Sequence, residues 1–289
     1  MSPARTNETR PDDVLTVRDL SVFFRQGASR VRLVDKVSFR VGKGECLGIL
    51  GESGSGKSMS CKAVLGLLDN NFEVAGSSLF EGRELLGENP EKLRRLRGGR
   101  IGVVLQNPMS CFDPLYRIGE QMAETLAEHT RLGRRAIRGK MVDILDLMRI
   151  RSPEDVLRKY PHQLSGGMLQ RVMIGLALGL DPALIIADEP TTAIDSISQY
   201  SIMREFLRIK RRGDMSMIFI SHDLGVLSLI ADRVMVMHGG HAVESGAARD
   251  IFEGARDDYT RRLIAQHKAV MGRFLAAIHT NREPREATA

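Results

Sequence analysis

Short apolar segments recur along the chain and alternate with stretches of helical spacing. Five of these segments are compact and almost wholly apolar, which is typical of strands that a sheet buries on both faces. They lie at residues 46–50, 101–105, 183–187, 217–220 and 234–237. A helix is predicted at about residues 57–68, after the first segment. Strands that alternate with helices indicate an α/β fold with a mainly parallel sheet as its core.

Two regions differ from this pattern. Residues 14–41 contain short β-rich runs of alternating character, which predict a small antiparallel β subdomain in front of the parallel sheet. From about residue 111 to residue 165 the apolar positions recur at helical spacing, so we expect an inserted helical subdomain. The sequence His-Gly-Gly-His at residues 238–241 predicts a hairpin turn.

Both ends of the chain are expected to lie outside the main domain, which we place at residues 14–255. Residues 1–13 are polar, contain two prolines and show no periodicity, which predicts a flexible tail. Residues 256–280 predict a helix with one apolar side, formed by Leu263, Ile264, Met271, Phe274 and Leu275. We expect this helix to pack on the core, and the tail to end frayed at residue 289.

Charge and composition mainly exclude functions. Lys and Arg number 42 against 36 Asp and Glu, a net charge of +6, but the basic residues are dispersed. We therefore expect a solvated surface and no nucleic-acid partner, with weak attraction to an anionic membrane face as the alternative. No apolar stretch approaches the ~20 residues that cross a bilayer, and the N-terminus lacks the apolar core of a signal peptide. Because the three cysteines match neither a disulfide framework nor a metal site, a reduced, cytoplasmic protein is expected.

The strongest chemical signal is Gly51-Glu52-Ser53-Gly54-Ser55-Gly56-Lys57-Ser58, which matches GxxxxGK[ST] between a predicted strand and a predicted helix. Its glycines let backbone N–H groups wrap round phosphate oxygens, and the N-terminus of the helix adds a favourable dipole. Lys57 is expected to reach the β- and γ-phosphates, and the Ser58 hydroxyl to bind Mg²⁺. We call residues 51–58 the phosphate-binding loop.

Two adjacent carboxylates follow the predicted strand at residues 183–187. Asp188 is expected to hold Mg²⁺, and Glu189 to polarise the attacking water. Adjacent acids at a strand end can also do no more than cap a loop. The phosphate-binding loop elsewhere in the chain favours the catalytic interpretation.

A second candidate anion site lies at Ser165-Gly166-Gly167, directly before a long apolar helical stretch. One nucleotide does not need two such sites from one chain, so we expect this one to receive the γ-phosphate of ATP held by another subunit. With Leu164 the segment is LSGG, which is similar to the signature motif of the ATP-binding cassette (ABC) transporters. The resemblance covers about residues 14–255, with the motifs in the expected order.

This resemblance implies a P-loop NTPase core of the RecA-like type that binds and hydrolyses ATP with Mg²⁺. It also implies a peripheral position on the cytoplasmic face of the inner (plasma) membrane, bound to transmembrane permease subunits. A second ATP-binding subunit, identical or different, is implied as the other half of a dimer. A periplasmic or extracellular substrate-binding protein is an indirect partner.

Other family positions are matched residue by residue. Gln106 resembles the Q-loop glutamine that contacts Mg²⁺ and water, Asp195 resembles the D-loop aspartate, and His222 resembles the switch histidine that senses the γ-phosphate. Phe24 falls where an aromatic ring stacks on adenine. Phe23 is the alternative, because only one of two adjacent strand residues faces the nucleotide.

The transported substrate is indicated by analogy alone. Residues 106–115 resemble a stretch of the importers for peptides and nickel, and residues 165–171, SGGMLQR, resemble the nickel-type members. No cysteine follows Cys111, whereas peptide-type subunits often carry a cysteine-containing C-terminal extension. We therefore expect uptake of nickel or a metal chelate, with dipeptide or oligopeptide import as the alternative.

Two further function classes fit the sequence less well. A non-transport ABC ATPase that acts on DNA or ribosomes usually has tandem cassettes or long coiled coils, and this chain shows one cassette and no sustained heptads. A GTPase or a small-molecule kinase with the same phosphate-binding loop leaves the LSGG motif and His222 unexplained.

Overall fold

The computed structural model describes residues 12–27, 29–191, 196–213 and 215–267. The strands are β1 (Asp13–Gln26), β2 (Ser29–Gly42), β3 (Cys46–Leu50), β4 (Phe72–Phe80), β5 (Arg83–Glu84), β6 (Ile101–Val104), β7 (Leu184–Asp188), β8 (Ser216–Ile220), β9 (Arg233–His238) and β10 (His241–Ala247). The helices are α1 (Lys57–Val64), α2 (Pro90–Leu96), α3 (Ile118–His129), α4 (Arg134–Leu147), α5 (Pro153–Arg158), α6 (Gly166–Gly179), α7 (Ser196–Arg212), α8 (Leu224–Ile230), α9 (Ala248–Gly254) and α10 (residues 258–267).

A six-stranded sheet in the order β10-β9-β3-β8-β7-β6 forms the centre of the molecule. Strands β9, β3, β8, β7 and β6 are parallel, and β10 returns antiparallel to β9. The turn between β9 and β10 consists of Gly239 and Gly240 with φ of 53° and 84°, as the predicted two-residue hairpin requires. The parallel strands all end at one edge of the sheet, where the residues that follow them meet.

Alternate residues of the central strands enter two different cores. In β7, Leu184 and Ile186 belong to the core that contains the antiparallel sheet and α1. Ile185 and Ala187 belong to the core that contains α3, α4, α6, α7 and α8. Because each face of the sheet is covered, every residue of β7 is buried. This explains the compact apolar runs in the sequence and confirms the predicted α/β class.

The front of the molecule is a four-stranded antiparallel sheet in the order β2-β1-β4-β5. The sequence pattern predicts β1 as separate short runs, but it is one strand whose pairing with β4 shifts register between Arg18 and Ser21. At this shift Gly76 has φ of 115°, and a Cβ there would lie 2.6 Å from the Arg18 carbonyl oxygen. The pattern does not predict β4, because glycine and serine at residues 76–78 interrupt its apolar residues.

Helices fill the chain between β6 and β7. Ile118, Met122 and Leu126 of α3 are fully buried, which confirms that the helical spacing marks a face toward the core. Helix α6 packs against α4, and α3 packs against α4 and α5. The fold therefore contains the expected inserted helices between two strands of the parallel sheet.

Helix α1 is shorter than predicted, and α10 is described over only part of its predicted range. Helix α1 ends at Val64 rather than at about residue 68, because Gly66 adopts a left-handed conformation with φ of 61°. The N–H of Leu67 donates to the Lys62 carbonyl, which closes the helix in a Schellman arrangement. Helix α10 is described at residues 258–267, with Leu263 and Ile264 buried against the core.

The remainder of the predicted C-terminal helix and tail lies outside the described residues, as do residues 1–11 of the predicted N-terminal tail. The boundaries of the main domain stay a prediction. None of the helices that the structure describes is long and apolar enough to cross a membrane.

Candidate functional site

The phosphate-binding loop connects the end of β3 to the start of α1. Gly51 has φ of 153°, and a Cβ there would lie 2.2 Å from the Met237 carbonyl oxygen, so the loop passes directly over the end of β9. Gly54 and Gly56 have φ of 80° and 99°, a region that glycine enters without steric cost. Ser55 is buried, whereas Ser53 is exposed. The sequence therefore wraps a backbone turn round the N-terminus of α1.

Lys57 lies within this turn. Its Nζ donates to the carbonyl oxygens of Gly51 and Glu52 at 2.8 and 2.7 Å, and to Ser55 Oγ at 3.3 Å. Burial lowers the pKa of Lys57, and the nearby carboxylates of Glu189, Asp188 and Glu52 act in the opposite direction. The loop thus holds a cation in its concave side, where phosphate oxygens are predicted to bind.

Ser58 and Asp188 meet at the edge of the sheet although they are 130 residues apart. The Ser58 hydroxyl donates to Asp188 Oδ1 at 2.8 Å. Burial raises the pKa of the Asp188 carboxyl and the charge of Glu189 adds to this, whereas the Ser58 hydrogen bond, Lys62 and Lys57 lower it. A hydroxyl and a carboxylate oxygen side by side are hard oxygen donors of the kind that Mg²⁺ prefers.

Glu189 contacts two other predicted site residues. Its Oε2 accepts a hydrogen bond from Gln106 Nε2 at 3.0 Å, and its Oε1 lies 3.2 Å from His222 Nδ1. Glu189 itself has φ of 46°, and its N–H donates to the Ile220 carbonyl at the end of β8. The side chains that follow β6, β7 and β8 therefore converge. Gln106 contacts Glu189 here and not the Ser58–Asp188 pair.

Ser165, Gly166 and Gly167 lie at the start of α6. Ser165 is the N-cap residue, and its Oγ accepts from the Met168 N–H at 3.3 Å. Throughout the part of the chain that the structure describes, no hydrogen bond joins these residues to the phosphate-binding loop. Their role toward another subunit stays a prediction. Asp195 lies outside the described residues.

The two candidate adenine-binding residues differ in their surroundings. The Phe23 ring carries the guanidinium of Arg30 on one face, 3.5 Å from the ring centroid. The Phe24 ring instead packs against Phe72 at a centroid distance of 5.2 Å. One face of Phe23 is thus occupied by an arginine, which favours Phe24 for stacking on a base. That role stays a prediction.

Sequence reasoning missed two contacts of the site. The hydroxyl of Tyr259 in α10 accepts the N–H of Glu52, a pair separated by 207 residues. Gln170 of α6, which is almost completely buried, donates from Nε2 to the Pro190 carbonyl at 3.0 Å. No local pattern signals either contact, because each depends on the packing of a distant helix against a loop.

Comparison with known proteins places this geometry in a family. The family model described as ABC transporter matches residues 34–192. The metal-staphylopine import system ATP-binding protein of Staphylococcus aureus is 43% identical over 242 residues, which are 84% of this chain and 89% of that protein. The dipeptide transport ATP-binding protein of Haemophilus influenzae is 42% identical over 87% of this chain and 76% of its own length.

Solved structures show the same fold. A dimeric structure of a bacterial ABC transporter cassette superposes with a TM-score of 0.74 at 24% identity, covering 81% of this chain and 99% of that one. A structure of an ABC transporter ATP-binding subunit gives a TM-score of 0.70 over 88% of this chain and 99% of its own. The phosphate-binding loop, the carboxylates after β7 and the matched sequence together show that the chain belongs to the ABC transporter family of ATPases.

Proposed function

We propose that this chain hydrolyses ATP to energise the import of nickel or a metal chelate through a separate permease. The observation that carries the proposal is the convergence of Gln106, Glu189 and His222 beside the Lys57 ammonium and the Ser58–Asp188 pair. Its substrate class is supported by the 43% identity to a metal-staphylopine import ATP-binding protein.

The phosphate-binding loop is suited to hold the triphosphate. Backbone N–H groups at the start of α1 and the Lys57 ammonium supply positive charge on the concave side of the turn. When phosphate oxygens replace the carbonyl oxygens as hydrogen-bond acceptors, the Lys57 ammonium pairs with the β- and γ-phosphates. Ser53, Gly54, Ser55 and Gly56 shape the turn, and Phe24 stacks on adenine.

Mg²⁺ fits the oxygen donors beside the loop. Ser58 and Asp188, with the Gln106 amide oxygen as a further candidate, would hold the ion. When bound, Mg²⁺ neutralises phosphate charge and polarises the γ-phosphoryl group. Burial disfavours the charged form of Asp188, and a neighbouring cation would favour that charged form.

Glu189 is placed to act on the attacking water. Its two carboxylate oxygens are oriented by Gln106 and His222, so the carboxylate is fixed in position by groups on either side. Water attacks the γ-phosphorus, the bond to the ADP oxygen breaks, and the proton of the water passes toward Glu189. Such proton-transfer assistance contributes ~10²–10⁴ in rate.

The rest of the assembly is also proposed. A second ATP-binding subunit supplies the N-terminus of its signature helix to the γ-phosphate, as Ser165, Gly166 and Gly167 of this chain do for the partner. Asp195 crosses between the two subunits. The pair binds permease subunits at the cytoplasmic face of the inner (plasma) membrane, and the permease in turn receives cargo from a substrate-binding protein.

Peptide import is the second candidate. The dipeptide transport protein of Haemophilus influenzae is 42% identical, and the oligopeptide transport protein of Bacillus subtilis is 40% identical over 87% of this chain. These values lie close to that of the metal-chelate relative. The ATPase chemistry is the same in both cases, so only the cargo distinguishes them.

Uptake by cells that lack the gene tests the proposal. Deletion cells receive the wild type, Glu189→Gln, or the control Glu253→Gln, whose exposed carboxylate pairs with Arg249 on the same helix. Uptake of nickel, with and without a chelator, and of a dipeptide is then measured. We expect nickel uptake with wild type and control but not with Glu189→Gln, and ATPase activity lower by ~10²–10⁴ with that variant.

If dipeptide uptake depends on the gene and nickel uptake does not, the result would favour peptide import over nickel import. If uptake of neither nickel nor the dipeptide depends on the gene, both candidate functions would be contradicted. Undiminished hydrolysis by Glu189→Gln would remove Glu189 from the mechanism.

A further inference from the structure

Helix α10 begins with a well-defined set of hydrogen bonds. Asp257 Oδ1 accepts from the N–H groups of Tyr259 and Thr260 at 2.9 and 3.0 Å, so it caps the helix. The Glu244 carboxylate on β10 accepts from the N–H groups of Arg256 and Asp257 at 2.8 and 3.2 Å. Thr260 is completely buried. The first turn of α10 is therefore fixed to the sheet.

Tyr259 extends from this turn to the phosphate-binding loop. Its ring stacks on His238 at a centroid distance of 3.9 Å and an interplanar angle of 28°. Its hydroxyl accepts the Glu52 N–H at 3.2 Å. His238 is the last residue of β9, next to Met237, whose carbonyl lies beneath Gly51. The Tyr259 side chain is thus held against the end of β9, the strand that supports the phosphate-binding loop.

Glu52 is consequently fixed on both sides of its backbone. Tyr259 holds its N–H, and its carbonyl accepts from Lys57 Nζ at 2.7 Å and from the Ser55 N–H at 3.2 Å. A shift of the Glu52 backbone would move the acceptors that position the Lys57 ammonium. The side chain of Glu52 is exposed, so water would compete for its N–H if the phenol were absent.

We propose that Tyr259 is a positioning residue for ATP binding, whose hydroxyl holds the Glu52 backbone and thereby the phosphate-binding loop in the shape that receives the triphosphate. The inference rests on the proposed role of that loop. Ordering the loop before ATP arrives lowers the entropic cost of binding. Neither the hydrogen bond to Glu52 nor the ring contact with His238 reaches Glu189, so the bond-breaking step is expected to be unchanged.

Tyr259→Phe removes the hydroxyl and keeps the ring. The matched control is Tyr200→Phe, because Tyr200 lies on α7 with 67% of its surface exposed. Lys57→Ala serves as the reference for loss of the loop itself. For each purified full-length variant we would measure the Kd of Mg-ATP, the KM and kcat of hydrolysis, and the Tm without nucleotide.

For Tyr259→Phe we expect Kd and KM for ATP to rise about 3- to 10-fold, the effect of one net hydrogen bond. We expect kcat to stay within about twofold, since the interaction acts on binding rather than on the transition state. Tyr200→Phe is expected to match the wild type in all four quantities. Lys57→Ala is expected to lose measurable ATP binding.

Other results would contradict either the positioning role of Tyr259 or the proposed role of the phosphate-binding loop. An unchanged Kd for Tyr259→Phe, with or without a lower Tm, would overturn the positioning role, and so would a fall in kcat at constant KM. Retained ATP affinity in Lys57→Ala would instead contradict the proposed role of the phosphate-binding loop. A failure of the Tyr259 inference is thus distinguishable from a failure of the function on which it rests.

Discussion

Asp188 carries its carboxylate where the fold disfavours charge. Burial raises its pKa above 3.8, so the folded protein binds a proton more readily than the unfolded chain does. The free energy of unfolding therefore falls as the pH rises from the unfolded pKa through the raised folded pKa. Above that window the full penalty is present, so at neutral pH the Asp188 carboxylate lowers the free energy of unfolding.

Asp188→Asn is expected to raise the Tm of the nucleotide-free protein at pH 7 and to abolish ATP hydrolysis. The amide oxygen can still accept from the Ser58 hydroxyl, but the buried negative charge is gone. The Tm difference from wild type should shrink as the pH is lowered through the raised pKa of Asp188, because the wild-type carboxyl is then progressively protonated. Thermal unfolding over a pH series measures this.

The control is Asp181→Asn, because the Asp181 side chain is 88% exposed. It should leave both Tm and hydrolysis at the wild-type level. A lower Tm for Asp188→Asn at pH 7 would show that the carboxylate stabilises the fold, contrary to the effect of burial described here.

At the scale of elements, α4 packs closely against α6, the signature helix that begins at the LSGG motif. Gly175 is buried on α6, and a Cβ there would lie 2.6 Å from Met148 Cγ and 3.0 Å from Ile144 Cγ2. Gly179, one turn further along, faces Ile144 in the same way. Two glycines spaced four residues apart thus let the helix backbones approach closely.

Gly175→Ala is expected to lower the free energy of unfolding by about 1–3 kcal/mol, because the added methyl overpacks this contact. The control is Gly139→Ala on α4, where a Cβ would meet nothing within 4 Å. That substitution should stabilise the protein by about 0.5–1 kcal/mol through helix propensity alone. Denaturant unfolding of both variants tests the contrast, and a stabilised Gly175→Ala would contradict the close approach.

The sequence allowed the elements of the central sheet to be predicted because their residues carry the signal locally. A compact apolar run such as residues 183–187 indicates burial on both faces without knowledge of its neighbours. Strand β4 gives no such signal, since glycine and serine at residues 76–78 interrupt its apolar residues, and its pairing with β1 shifts register opposite Gly76.

The same distinction applies to the site. The phosphate-binding loop is contiguous in sequence, and a spacing pattern suffices to identify it. The Tyr259–Glu52 and Gln170–Pro190 contacts join loops to remote helices, so they follow only from three-dimensional packing. The meeting of Gln106, Glu189 and His222 lies between these cases: each side chain follows a parallel strand, and the common edge of the sheet brings them together.

At the scale of the whole molecule, two chains are proposed to share each ATP site, with Lys57 from one and Ser165 from the other. In a pair of identical chains, Lys57→Ala and Ser165→Arg should each be inactive alone. Mixed together they should regain hydrolysis, since one of the two sites in a mixed dimer combines an intact loop with an intact signature helix.

Steady-state ATPase assays of the two variants, alone and mixed, measure this. The control is each variant alone, at the total protein concentration of the mixture. Absence of recovery in the mixture would indicate that both residues act within one chain.

The position of β3 in the sheet has a consequence for biosynthesis. Cys46 of β3 pairs with Met217 of β8, and Leu47 pairs with Arg233 of β9, so both neighbours of this strand are made late. The 171 residues from Cys46 to Met217 take roughly 10–30 s to translate at ~5–20 residues per second. Until then the strand that precedes the phosphate-binding loop has no partner in the sheet. We therefore expect a nascent chain to be unable to bind ATP until β8 and β9 have been synthesised.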